Sequence, residues 1–174
     1  MKISLSGAQC TGKSTLMKAL REEFPDNYVF FDEVVRKLVK EEGIKINKDF
    51  DFDSQHSIMT KHIKNMDRIN FVTDRGLLDS FVYAYYGHEE GKFSKNDFRI
   101  FEFLFTTFIR EYDHIFYLPI EFELEDDGFR SIDNEFRNKI DKLFKELLEK
   151  YNVEHTILEG NVKERIKIIK SKIV

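Results

Sequence analysis

Gly7-Ala8-Gln9-Cys10-Thr11-Gly12-Lys13-Ser14 is the stretch that decides how this chain folds. Its spacing, G-x-x-x-x-G-K-S, is typical of a backbone loop that surrounds a phosphate group. The alternating residues 3–6 before it favour a short strand, and residues 14–24 after it favour a helix. The motif therefore lies at a strand-to-helix turn, where backbone N–H groups and the positive end of the helix dipole converge on an anion. The alternative is a glycine-rich turn without a ligand.

Each fixed position of the motif has a chemical reason. Gly7 and Gly12 let the backbone approach a phosphate without a side chain in the way. Lys13 can reach the β- and γ-phosphates, and the Ser14 hydroxyl can ligate Mg²⁺. We therefore predict ATP and Mg²⁺ as cofactors. The nucleotide-binding residues predicted within the motif are Gly7, Gln9, Cys10, Thr11, Gly12, Lys13 and Ser14.

The composition fits a single domain, 1–174, with a sizeable core. Of the 174 residues, 41% are hydrophobic, 34% are charged and 18 are Phe, so we expect a core rich in phenylalanine. The formal net charge of −4 argues against a nucleic-acid partner without excluding one, since a local basic patch would suffice. The single cysteine, Cys10, fits a reducing cytosol. Because no apolar run reaches the length of a membrane span, we expect a cytoplasmic protein without a membrane partner.

Strand-like and helical patterns alternate along the chain. Strands are predicted at about 2–6, 28–32, 69–73, 113–118 and 153–158, and helices at about 13–24, 33–42, 53–66, 76–87, 94–111, 131–151 and 161–171. This alternation predicts an α/β protein with the three-layer P-loop NTPase fold, a five-stranded parallel sheet flanked by helices. Residues 98–109 are apolar nearly all round, which predicts a central helix.

Charged residues follow the second and third predicted strands, at the edge of the sheet where ligands bind. Asp74 would hold the metal directly or through water, or would cap the following helix. Glu33 is either a general base that takes a proton from a substrate hydroxyl or an acid that complements a helix dipole. Arg36, Arg75 and Asp79 complete the candidate acceptor-binding set, because the planar arginine side chain suits bidentate phosphate contacts.

Residues 120–130 are predicted to form a loop with five acidic residues before Arg130. It is interpreted either as a solvated acidic loop or as a mobile lid that carries Arg130 over the phosphates as a catalytic residue. Arg137, seven residues further along the next helix, is a weaker candidate.

Taken together, these residues resemble the small P-loop kinases grouped with nicotinamide riboside kinase domains. The resemblance runs over nearly the full length, and the quoted segments are SLSGAQCTGKST, DEVVR at 32–36, TDRGLLDSFVYAYY at 73–86, residues 126–148 and LEGNVKERI at 158–166. It implies that Lys13, Ser14 and Thr15 bind ATP phosphates and Mg²⁺, and that Asp74 and Arg75 lie where ATP meets the acceptor. It also implies that Gly160, Asn161 and Val162 border the adenine.

The sequence therefore predicts a Mg²⁺-ATP-dependent kinase that acts on a nucleoside, a nucleotide or a small molecule like nicotinamide riboside. A hydroxyl acceptor would need a base such as Glu33, whereas a monophosphate acceptor would mainly need arginines. Two other classes stay open: a 5′-polynucleotide kinase, and a regulatory P-loop ATPase without a small-molecule acceptor. The oligomeric state cannot be read from the sequence.

The lid interpretation makes a prediction for Arg130. Arg130→Ala is expected to lower kcat far more than it weakens ATP binding, because the guanidinium would meet the developing charge only when the lid is closed. Arg130→Lys should restore little activity, since an ammonium lacks the planar fork. Steady-state kinetics on the true acceptor test this, together with proteolysis of residues 121–130. A wild-type rate and ligand-independent cleavage would contradict the lid.

Overall fold

The computed structural model describes residues 1–46, 49–121 and 133–173. One parallel sheet runs through this part of the chain. Its strands are β1 (Lys2–Ser6), β2 (Val29–Phe31), β3 (Phe71–Asp74), β4 (His114–Tyr117) and β5 (Thr156–Ile157). Their order across the sheet is β2-β3-β1-β4-β5, so β1 lies at the centre with its carboxyl end between those of β3 and β4.

Seven helices are described around the sheet. They are α1 (Lys13–Glu23), α2 (Val34–Glu42), α3 (Phe52–Asn65), α4 (Leu77–Glu89), α5 (Lys95–Phe108), α6 (Asn134–Lys150) and α7 (Val162–Ile173), and a 3₁₀ turn, Ile109–Glu111, follows α5. The predicted α/β class and five-stranded parallel sheet are confirmed. The largest difference is at the last strand, where only two residues of the predicted 153–158 pair with β4.

Successive side chains of β1 point to opposite faces of the sheet, and helices pack on each face. Ile3 and Leu5 pack on one face of the sheet with residues of α1 and α7, in one apolar cluster. Ser4 and Ser6 point to the other face, where their hydroxyl oxygens are 3.0 Å apart. Small side chains on this face let the start of α4 come close, since a Cβ at Gly76 would overlap the Ser4 hydroxyl.

The helices on the second face form a core rich in phenylalanine, as predicted. The rings of Phe81 on α4 and Phe105 on α5 are stacked with their centroids 4.0 Å apart. Helix α5 is not central, however, and that prediction is wrong. Its inner face buries Phe98, Phe101 and Phe105, whereas Phe103 on the outer face is 66% exposed. No helix in the described residues is both long and apolar enough to cross a membrane.

We expect Phe105→Ala to lower the free energy of unfolding by about 3–5 kcal/mol, because it removes a buried ring and leaves a cavity. Phe103→Ala on the same helix is the matched control and should change it by less than about 0.5 kcal/mol. Urea denaturation followed by circular dichroism measures both values. Equal losses for the two variants would contradict this placement of α5.

Candidate functional site

The glycines of the phosphate loop adopt conformations that other residues rarely adopt. Gly7 has a φ of 150°, and a Cβ there would overlap the carbonyl oxygen of Leu118. Gly12 has a φ of 86° and precedes α1 in the left-handed conformation. These two positions explain why glycine is needed at the start and at the end of the loop.

Lys13 is held inside the loop. Its ammonium donates to the carbonyl oxygens of Gly7 at 2.8 Å and Ala8 at 2.5 Å, and lies 3.1 Å from the Thr11 hydroxyl. The side chain is 3% exposed. The loop therefore encloses a positive charge next to the N-terminus of α1, and both favour the binding of an anion.

Ser14 and Asp74 meet as predicted for a metal site. The Ser14 hydroxyl donates to Oδ2 of Asp74 at 2.8 Å. Asp74 ends β3, and the residue that precedes α4 is Gly76, so the alternative role of Asp74 as a helix cap is wrong. A hydroxyl and a carboxylate are oxygen ligands that suit Mg²⁺, which is usually held by one or two protein groups and substrate phosphates. Within the described residues, no cluster of three or more His, Cys, Asp or Glu side chains could hold a metal by itself.

Asp79 ties the phosphate loop to the start of α4. Its carboxylate accepts from the backbone N–H of Gly7 at 3.3 Å and of Gly76 at 3.2 Å, and lies 3.5 Å from the Arg75 guanidinium. Burial raises the pKa of the Asp79 carboxyl, and the positive charges of Arg75 and Lys13 oppose this. Because its oxygens already contact the protein, Asp79 has a structural role besides its predicted contact with the acceptor.

Two buried arginines hold the phosphate loop by hydrogen bonds to its backbone carbonyls, and this role was not predicted from the sequence. Arg137 on α6 donates to the carbonyl oxygens of Gln9 and Cys10, both at 2.9 Å. Arg165 on α7 donates to the carbonyl oxygen of Thr11 at 2.8 Å. Both side chains are almost fully buried, at 3% and 2% exposure. A signal existed in the sequence, since each arginine interrupts the apolar face of its helix.

Arg165 also connects the loop to the segment after β5. Its guanidinium pairs with Glu121, and the Glu121 carboxylate accepts from the N–H of Gly160 at 3.0 Å. Asn161 accepts from the N–H groups of the first turn of α7, and Val162 packs partly buried against the core. The residues predicted to border the adenine thus lie in a segment tied to the phosphate loop through Arg165.

Backbone strain concentrates at this edge of the sheet. Cys10, Glu33 and Arg75 have φ values of 56°, 52° and 74°, and Asn152 is the one other non-glycine residue with positive φ in the described ranges. Such conformations cost about 1–3 kcal/mol each and cluster at functional sites. The Thr73 hydroxyl donates to the carbonyl of Arg75 at 2.6 Å and supports its turn.

Glu33 lies immediately before α2, on a turn that faces the loop. Its carboxylate accepts from the Arg36 guanidinium at 2.8 Å and makes no hydrogen bond to the start of the helix. The two side chains are 55% and 37% exposed. Glu33 is therefore accessible, and its role as a base stays a prediction.

One cavity is lined by seven of the predicted residues. It extends from Gln9 and Ser14 of the loop into a hollow between α2, α3 and α4. The predicted residues that line it are Gln9, Ser14, Glu33, Arg36, Asp74, Arg75 and Asp79. Thr15 is exposed on α1 and is not among its lining residues. Arg130 and residues 122–130 of the predicted lid lie outside the described residues.

The parallel sheet, the loop and the lysine inside it define a P-loop nucleotide-binding domain. A protein-family model described as an AAA domain matches residues 2–165. The chain therefore belongs to this AAA domain family. No curated protein sequence matches it.

Several solved structures share the fold. A deoxyadenosine kinase from M. mycoides, with the products dCMP and dCDP bound, is 18% identical with a TM-score of 0.68, over 99% of this chain and 98% of that chain. The NadR protein in complex with NR is 22% identical with a TM-score of 0.76, and the match covers 99% of this chain but 51% of NadR. Shikimate kinase from Aquifex aeolicus is 20% identical with a TM-score of 0.59, over 99% and 96% of the two chains.

We expect Arg137→Ala to destabilise the protein by about 2–4 kcal/mol, because it leaves two backbone carbonyls without their charged donor. It should also weaken binding of an ATP analogue by at least about tenfold, because the loop loses its support. Lys142→Ala, an exposed cation on the same helix, is the control and should change neither quantity. Urea denaturation and calorimetric titration measure the two effects. Unchanged nucleotide affinity in a destabilised Arg137→Ala would limit the arginine to a packing role.

Proposed function

We propose that this protein is a Mg²⁺-ATP-dependent kinase that phosphorylates a small-molecule acceptor. The observation that carries the proposal is the cavity, which adjoins Ser14 and Asp74 at one end and enters an apolar hollow at the other. A nucleotide on the loop would place its terminal phosphate at the mouth of this hollow. An acceptor in the hollow would then meet that phosphate, as phosphoryl transfer requires.

The similar structures support this proposal. Their names and bound molecules are those of a deoxyadenosine kinase with nucleotides, a NadR protein with NR, and a shikimate kinase. NadR has also been solved with NAD and the ATP analogue AMP-PNP, at a TM-score of 0.73. Their shared fold accommodates ligands of different chemistry. The acceptor of this chain must therefore be inferred from the residues that line its own hollow.

The roles of the loop residues follow from their positions. The loop N–H groups and Lys13 would bind the β- and γ-phosphates and neutralise charge that develops during transfer. Ser14 and Asp74 would hold Mg²⁺, which when bound would supply positive charge that stabilises the negative charge developing during transfer. Gly160 and Val162 would border the adenine from the segment that Arg165 ties to the loop.

Two acceptor types place different demands on the other lining residues. With a hydroxyl acceptor, Glu33 would take the proton, and its carboxylate is accessible on the cavity wall. With a monophosphate acceptor, Arg36 and Arg75 would bind the phosphate. Arg75 is already engaged with Asp79, whose carboxylate is 3.5 Å away, which favours the hydroxyl acceptor.

The two alternative classes make distinct predictions. A 5′-polynucleotide kinase would need a basic path for a strand, and the net charge of −4 weighs against one. A regulatory ATPase would have no acceptor to bind in the hollow. That nucleic acid is an unlikely partner, and that the protein is cytoplasmic, stay predictions from the sequence.

We expect Asp74→Asn to lower kcat by about 10²-fold and to raise the Mg²⁺ concentration needed for half-maximal rate, because the amide keeps the shape but loses the charge. Asp113→Asn is the matched control, since Asp113 precedes β4 at the opposite edge of the sheet. Initial rates over a Mg²⁺ titration measure both effects. If Asp74→Asn has the wild-type rate and Mg²⁺ dependence, the metal role of Asp74 is wrong.

A further inference from the structure

Two buried polar side chains in the cavity wall have no hydrogen-bond partner within the described residues. His62 on α3 is 2% exposed, and neither Nδ1 nor Nε2 of its ring is paired. Ser80 on α4 is 3% exposed, and its hydroxyl is also unpaired. Both residues line the cavity. Buried polar groups are nearly always paired in folded proteins, so two exceptions on one cavity require an explanation.

Packing does not require polar groups at these positions. A phenyl ring fills a space similar to that of an imidazole, and alanine lacks only the hydroxyl of serine, so apolar residues would avoid an unpaired polar group in the free protein. Gln55, which lines the same cavity, shows the contrast, since its amide nitrogen donates to the carbonyl oxygen of Ser80 at 2.6 Å. The polar side-chain atoms of His62 and Ser80, by contrast, remain able to bond to a ligand.

The surroundings of His62 determine its protonation state and therefore which hydrogen bonds its ring can make. Burial, together with the positive charge of Arg75, lowers the pKa of His62 to about 4. The ring is therefore neutral near pH 7 and provides one N–H donor and one nitrogen acceptor. Arg75 is paired with Asp79, but its charge is still the one that lowers the pKa of His62. The guanidinium therefore opposes a positive charge on any group that lies against His62.

The remaining walls of the hollow suit a flat ring. Val34 on α2, Ile58 on α3 and Phe50 before α3 are buried apolar residues that line it. Ile58 lies one helical turn before His62 and so shares its face of α3. Apolar walls with a few unpaired polar groups are typical of sites that orient a small ring by its edge.

On the basis of the proposed function, we propose that His62 and Ser80 select the acceptor. They would bind the edge of an uncharged heteroaromatic ring that carries both a hydrogen-bond donor and an acceptor, as a nucleobase does. A ring with a permanent positive charge, such as the pyridinium of nicotinamide riboside, would be disfavoured by Arg75. The acceptor class is therefore a neutral nucleoside rather than a cationic one.

Binding measurements test this proposal separately from catalysis. Calorimetric titration would use adenosine, guanosine, cytidine, thymidine and nicotinamide riboside, each against the protein saturated with a non-hydrolysable ATP analogue. We expect at least one neutral nucleoside to bind at least about tenfold more tightly than nicotinamide riboside. Tighter binding of nicotinamide riboside, or no binding of any neutral nucleoside, would overturn the proposal. A failure of the kinase proposal would appear instead as binding without phosphorylated product.

Two variants then test the residues. His62→Phe and Ser80→Ala should each weaken the preferred neutral nucleoside by about tenfold per lost hydrogen bond. Neither should change ATP-analogue affinity or lower the thermal midpoint of the free protein. His56→Phe is the control and should leave nucleoside binding unchanged, because His56 lies on the same helix but does not line the cavity. If both variants bind the nucleoside within twofold of wild type, the selecting role is wrong. If His62→Phe does not fold, Ser80→Ala decides.

Discussion

The contact between two buried arginines and the carbonyl oxygens of the phosphate loop is the constraint on which the site depends. Arg137 and Arg165, neither of which lines the cavity, donate to the carbonyls of residues 9, 10 and 11. In a trans peptide the N–H points opposite to the carbonyl, so fixing these carbonyls turns the following N–H groups toward the anion site. The arginines come from α6 and α7, so the packing of distant helices determines the geometry of a loop near the start of the chain.

Several residues at the carboxyl ends of the strands adopt arrangements that lower the free energy of unfolding of the protein. Glu33 and Arg75 occupy a left-handed backbone conformation, and His62 and Ser80 bury polar groups that have no partner among the described residues. Each of these features is unfavourable in an empty protein, and all four residues line the same cavity. Stability is supplied elsewhere, by the phenylalanine-rich layer of α3, α4, α5 and α6. Unfavourable residues in a cavity and a stabilising core elsewhere are the pattern expected of a ligand-binding site.

Much of the fold could be predicted because its signals are local. Residues 3–24 predict a strand, a turn and a helix from local patterns, and the alternation of strands and helices then implies a parallel sheet. The position of Asp74 at the end of β3 follows from the same pattern. The outer face of α5 could not be predicted, because Phe103 looks like a core residue in the sequence and only the packing shows that its side chain is 66% exposed.

The parts of the site that escaped prediction depend on contacts between distant residues. Arg137 meets Gln9 across 128 positions, and Arg165 meets Thr11 across 154. Nor does the sequence reveal that His62 has no partner in the part of the chain that the structure describes, since that depends on every side chain around it. The single-domain boundary, the lid and the roles of the site residues stay predictions.

Phosphorus NMR of the protein with Mg²⁺-ATP and the nucleoside panel tests the central claim most directly. We expect a new phosphomonoester signal that grows at the same rate as the signals of ADP, and that is absent with Lys13→Ala. Release of free phosphate at a rate that ignores every acceptor would contradict it and would indicate an ATPase instead.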